Sequence, residues 1–147
     1  MPIFAFYVAP GRWQDRLIRW ATRSPYSHVE YVLDDHLDAS NACVSASKRD
    51  GSRVRQRQIT WKPGHWRFVL THGDSDDIRD RLLAEDGKNY DTLGAVLSIT
   101  PFARARRGRW WCSQLMAHGL RLPDAERATP AALWTALNAR GATDIGV

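Results

Sequence analysis

Four segments between residues 27 and 70 alternate in polarity at period two, and turn-forming residues separate them: "SHVEYVL" (27–33), "NACVSAS" (41–47), "RVRQRQI" (53–59) and "HWRFVL" (65–70). Such alternation predicts half-buried strands. "DDHLD", "KRDGS" and "KPG" supply the turns, and "NACVSAS" reads as a hairpin partner of the strand before it. "IFAFYV" (3–8) adds a first strand. Between it and the others, residues 11–23 carry Trp13, Leu17, Trp20 and Ala21 at helical spacing, with Arg12, Arg16, Arg19 and Arg23 on another face. That arginine row reads first as a solvated face.

The second half of the chain turns helical. "DSDD" (74–77) is acid-rich where a helix dipole welcomes negative charge; Ile78, Leu82 and Leu83 follow, and Gly87 suits the C-terminal cap. "YDTLGAVLSI" (90–99) and a segment starting near Cys112 are the next helices. "TPAALWTALNARG" offers Thr129 as N-cap, Pro130 at the first helical position and Gly141 past the end. The order β-α-β-β-β-β-α-α-α-α gathers strands in one half and helices in the other. It predicts an α+β fold with an antiparallel sheet packed against helices, as a single domain over 1–147.

With 147 residues, 44% of them hydrophobic, the chain has material for a core without disulfides, and two cysteines make no disulfide framework. No apolar run approaches the ~20 residues of a membrane span, and "MPIFAFYVAPGRW" lacks the basic n-region of a signal peptide. The expectation is a cytoplasmic protein as synthesised, with delivery to a cell wall left to a phage or secretion apparatus. The formal charge of +5 is concentrated in 48–58 and 103–109. These Arg-rich loops suit an anionic surface. Without a recognised motif, nucleic acid is not the expected partner.

The chemistry centres on "RWWCSQL" (109–115), where Cys112 falls in the first turn of a helix. Free N–H groups and the macrodipole converge there and favour a thiolate. A nucleophilic cysteine also needs a base and a group to orient it. Of five histidines, His118 lies roughly 240° round the same helix, His65 and His72 flank a strand, and His36 sits in a turn. His28 opens a strand, and Glu30 follows at i+2 on the same face. Cys43 reads as a small buried hydrophobe. No C-x-x-C or H-x₃₋₅-H spacing is present for zinc and no phosphate-cradling loop for a nucleotide, so neither a metal nor another cofactor is expected.

Taken in order, "SPYSHVEYVL", "SASKRDGSRVRQRQI", "HWRFVLTH", "GKNYDTLGAVLS", "WWCSQLMAHGL" and "TPAALWTAL" resemble the circularly permuted branch of the papain-like NlpC-type superfamily. That branch includes YiiX-type bacterial proteins, phage-encoded relatives and, more distantly, lecithin:retinol acyltransferases. The resemblance spans roughly residues 3–137 and departs at "RDGSRVR", where relatives read closer to "DGGVR". It implies a circularly permuted papain-like fold, with the histidine strand early and the cysteine helix late. Cys112 becomes the nucleophile and His28 the base. Glu30 is preferred as the orienting residue, with Asn41 the alternative. Tyr90 or Tyr26 is a candidate second oxyanion donor beside the Cys112 N–H, and Trp111, with Trp110, a candidate wall of the cleft.

The implied activity is cysteine-dependent hydrolysis of an amide or ester through a thioester, on bacterial cell-wall peptides. The alternatives are a lipid-directed acyl hydrolase or transferase of the same fold, and a non-enzymatic nucleic-acid-binding or phage structural protein.

Overall fold

The computed structural model describes residues 1–102 and 106–145. Five long strands come first: β1 (Ile3–Tyr7), β2 (His28–Val32), β3 (Ser40–Ser47), β4 (Arg53–Thr60) and β5 (Trp66–Leu70). Helix α1 (Trp13–Thr22) is inserted between β1 and β2. The second half supplies α2 (Ser75–Leu83), α3 (Thr92–Leu97), α4 (Cys112–Gly119) and α5 (Pro130–Ala139). Three short strands join them: β6 (Asn89–Tyr90), β7 (Arg109–Trp110) and β8 (Thr143–Ile145). The eight strands form one sheet in the order β7-β6-β4-β3-β2-β1-β5-β8. Every pairing is antiparallel except β6 with β7.

Alternation along the strands sorts the core. Phe4, Phe6, Val29, Tyr31, Val44, Ala46, Val54 and Val69 cluster with Ile78 and Leu82 of α2, Leu115 and Met116 of α4, and Leu133 and Leu137 of α5. Ile3, Ala5, Val32, Cys43 and Phe68 have the opposite parity and form a smaller cluster covered by Trp61, Trp66 and Ile59. The mixed α+β class and the mostly antiparallel sheet match the expectation.

The caps explain where the helices begin. The Asp74 carboxylate accepts from the N–H groups of Asp76 and Asp77, Asp91 from Gly94, and the Thr129 hydroxyl from Ala132 with Pro130 following it. The expected helix 90–99 is shorter than its apolar pattern, because Tyr90 pairs in the sheet and Asp91 caps from outside. Gly87 lies beyond the end of α2, and its N–H donates instead to the Val54 carbonyl.

Helix α1 departs most from an ordinary amphipathic helix. Among its residues only Asp15 is buried, whereas Trp13, Leu17 and Trp20 are exposed. The helix is held by polar contacts. Asp15 accepts from the Arg12 N–H and pairs with Arg49, and the Arg19 guanidinium donates to the Val8 carbonyl at 2.8 Å. No helix among the described residues is long and apolar enough to cross a membrane.

Candidate active site

Cys112 is the first residue of α4, after Trp111 in extended conformation. Seven of the eight residues of α4 are buried, all but His118. The start of the helix is pinned from the α5 side, where the Ala128 carbonyl accepts from both the Trp111 indole (2.8 Å) and the Ser113 hydroxyl (2.7 Å). Among the described residues no side chain caps this N-terminus, so its first N–H groups stay available to a ligand.

His28 opens β2. Its Nε2 lies 2.7 Å from Glu30 Oε1, and its ring lines the same cleft as the Cys112 thiol. Nε2 is committed to the carboxylate, so Nδ1 is the ring nitrogen left to serve a neighbouring thiol. Burial alone opposes the imidazolium. The nearness of Cys112, followed by the hydrogen bond and charge of Glu30, outweighs burial and pushes His28 up to about 10.

Glu30 is 1% exposed, a costly position for a carboxylate without partners. It has two more from β4: Arg55 Nη1 donates to Oε2 at 2.8 Å and Nη2 to Oε1 at 2.7 Å. The antiparallel registers run Tyr31 opposite Val44 and Ser45 opposite Arg55, which brings the guanidinium across β3 to the carboxylate. Asp50, in the β3–β4 turn, takes the Arg55 Nε at 2.9 Å and an Arg57 nitrogen at 2.6 Å. Burial would raise Glu30; hydrogen bonds from Arg55 and His28 hold it below its ordinary value instead. Arg55 itself is shifted upward by the same carboxylates against its burial. The result is a continuous chain, His28–Glu30–Arg55–Asp50, which ends at the cleft that Cys112 also lines.

The chain opens on a cleft of about 800 Å³, lined among others by His28, Cys112, Tyr90 and Trp111. Tyr90 is raised by burial and then by the Cys112 charge, so its hydroxyl stays protonated and can donate. Tyr26 is placed elsewhere. It stacks on Trp134 with centroids 4.4 Å apart, meets Phe6 edge-on, and lies outside the cleft lining. Its role as an oxyanion donor is therefore withdrawn.

Asn41 is likewise committed away from His28. Its amide donates to Asp34 and to the His36 carbonyl, and its oxygen accepts from the Asp38 N–H and the Trp61 indole. It braces the β2–β3 connection. Of the other histidines, His118 lies against Trp110 at 4.8 Å and His36 pairs with Asp38, whereas His65 lines the cleft with its ring 6.1 Å from that of Tyr7.

Sequence reasoning missed four residues at the site. Arg55 was placed on an expected strand and Asp50 in a turn, both within a run read as basic surface, yet Arg55 neutralises the acid behind His28 and Asp50 holds Arg55. Gln14 and Ser27 line the cleft with a buried side-chain oxygen each that has no partner among the described residues. The basic run 48–58 is therefore less available to anions than its composition suggests, since Arg49, Arg55 and Arg57 are paired internally. Of the run 103–109, residues 103–105 lie outside the described residues.

Cys43 contrasts with Cys112. It is fully buried mid-strand, and burial followed by the Glu30 charge pushes its thiol upward. No family model matches the chain, and no curated protein matches it.

Proposed function

We propose that this protein is a cysteine-dependent hydrolase of amide or ester bonds, of the circularly permuted papain-like NlpC-type kind. One observation carries the reading: an imidazole hydrogen-bonded to a buried carboxylate shares the wall of an open cleft with a helix-start thiol. Thiol, base and orienting acid in that relation are the requirements of nucleophilic catalysis.

In the proposed reaction the Cys112 thiolate attacks the carbonyl carbon while His28 holds the proton. The backbone N–H of Cys112 and the Tyr90 hydroxyl meet the oxyanion. Collapse breaks the bond to the leaving amine or alcohol, which takes its proton from His28, and a thioester remains. His28, now neutral, removes a proton from water as it attacks the thioester; the acid product leaves and the thiolate–imidazolium pair is restored. Glu30 and Arg55 are positioning residues, the first fixing the ring and the second keeping the acid charged.

Peptide amides of the bacterial cell wall are the substrate class the resemblance implies. Lys48 and Lys62 on the cleft wall suit a substrate bearing carboxylates. The internal pairing of Arg49, Arg55 and Arg57 counts against a nucleic-acid-binding role.

Iodoacetamide at pH 6 tests the reading. Native protein should lose Cys112 selectively, and His28→Ala should slow that labelling by at least an order of magnitude. A p-nitrophenyl ester should give one burst of p-nitrophenol per chain, absent in Cys112→Ser. Equal, slow labelling of both cysteines and no burst would overturn it.

A further inference from the structure

We infer that the outer faces of α1 and α3, on either side of the cleft lining, dock this protein on an anionic lipid bilayer. Seven large apolar side chains are exposed among the described residues, and six belong to these two helices and the turn after α3: Trp13, Leu17, Trp20, Leu93, Val96 and Phe102. Trp13 is 69% exposed and Trp20 79%. Along α1, Trp13, Leu17 and Trp20 fall at i, i+4 and i+7 and so share one face of the helix. Both helices also line the cleft, α1 through Gln14 and Ile18 and α3 through Ala95. Each therefore turns one side to the cleft and another to solvent.

Charge decides the occupant. On α1 the apolar stripe adjoins Arg12, Arg16 and Arg23, all exposed and without an ion pair among the described residues. Arg107 and Arg109, past α3, are exposed in the same state. Neither helix exposes an acid: the only one in α1 is the buried Asp15, and α3 has none. Indole rings flanked by guanidinium groups match the boundary between acyl chains and anionic headgroups, which satisfies apolar and cationic groups together. The polar attachment of α1 through Asp15 and Arg19 fits this surface, because it leaves the whole apolar stripe free.

This inference is independent of the hydrolase reading, and its test is independent of activity. Purified protein is sedimented with vesicles of phosphatidylcholine alone or with 30% phosphatidylglycerol, a composition on the order of that of anionic biological membranes. Wild type and Cys112→Ser should bind the anionic vesicles, weakly in high salt and poorly to the neutral ones. Trp13→Ser/Trp20→Ser should weaken that binding at least about tenfold, with an unchanged circular dichroism spectrum. Two results overturn the proposal: no binding of wild type to anionic vesicles, or binding that the tryptophan substitutions leave intact. Self-association that the same substitutions abolish, without vesicle binding, also overturns it by assigning the face to a second copy.

Discussion

Arg55→Met tests whether the buried acid depends on its cross-strand partner. Methionine keeps most of the stem volume and removes only the guanidinium. Glu30 Oε2 then loses its 2.8 Å bond, and Oε1 keeps only His28. Removing one partner of a buried ion pair costs about 3–5 kcal/mol, because the other charge stays buried without compensation. Release of Asp50, which is more exposed, adds little. The expected loss is therefore about 3–5 kcal/mol, read by urea denaturation as a lower midpoint at constant slope. Glu30→Gln/Arg55→Met removes both charges and should recover a large part of that loss, so the two substitutions are strongly non-additive. Arg55→Met should also slow iodoacetamide labelling of Cys112, since an unsupported Glu30 drifts toward protonation and releases the ring. A cost below about 1 kcal/mol, the range of an exposed pair, or additive behaviour in the cycle, would refute this account of Arg55.

The same cluster sets a pH dependence. His28 is raised from 6.5 to about 10, so its contribution to stability is whole below 6.5 and is lost as pH rises through about 10. Glu30 is lowered from 4.5, so its contribution is present above that value and fades as pH falls below it. Urea midpoints at pH 6 and pH 9.5 should differ more in wild type than in His28→Ala; equal differences would remove the coupling. Gly94→Ala places a Cβ 2.5 Å from Asp91 Oδ2 and 2.6 Å from Trp111 Cζ3. It should cost about 1–3 kcal/mol by overpacking and disturb Cys112 labelling through Trp111, which denaturation and labelling measure together. Cys43 should resist iodoacetamide in the native state and react once urea unfolds the chain, because burial holds it as the thiol; native-state labelling would contradict that placement.

The long strands and the helix start at Cys112 were legible because their signals are local. Alternation, turn residues and caps act within a few positions of each other. The His28–Glu30 relation was legible for the same reason, since i and i+2 on a strand share a face. Arg55 was not. It shares its strand face with Arg53 and Arg57, and only its register across β3 toward Glu30 makes it a buried counter-ion. Asn41 is polar and well spaced, but the β2–β3 connection claims its side chain. Periodicity grouped Trp13, Leu17 and Trp20 on one side of α1 without saying what that side meets. The strands β6, β7 and β8, at two or three residues each, carry no pattern of their own; β6 and β8 take the edges offered by β4 and β5, and β7 pairs in turn with β6.

The placement of the thiol on α4 has a consequence for synthesis. A ribosome releases the strands β1 to β5, with His28, Glu30 and Arg55, well before Cys112 emerges. The sheet's core face packs on α2, α4 and α5, so the pocket around His28 is completed only when the later helices arrive. On the proposed mechanism, a chain that ends before Cys112 holds the base without its nucleophile. Reactivity toward electrophiles should switch on abruptly, when the last third of the polypeptide clears the exit tunnel and α4 seats against α5.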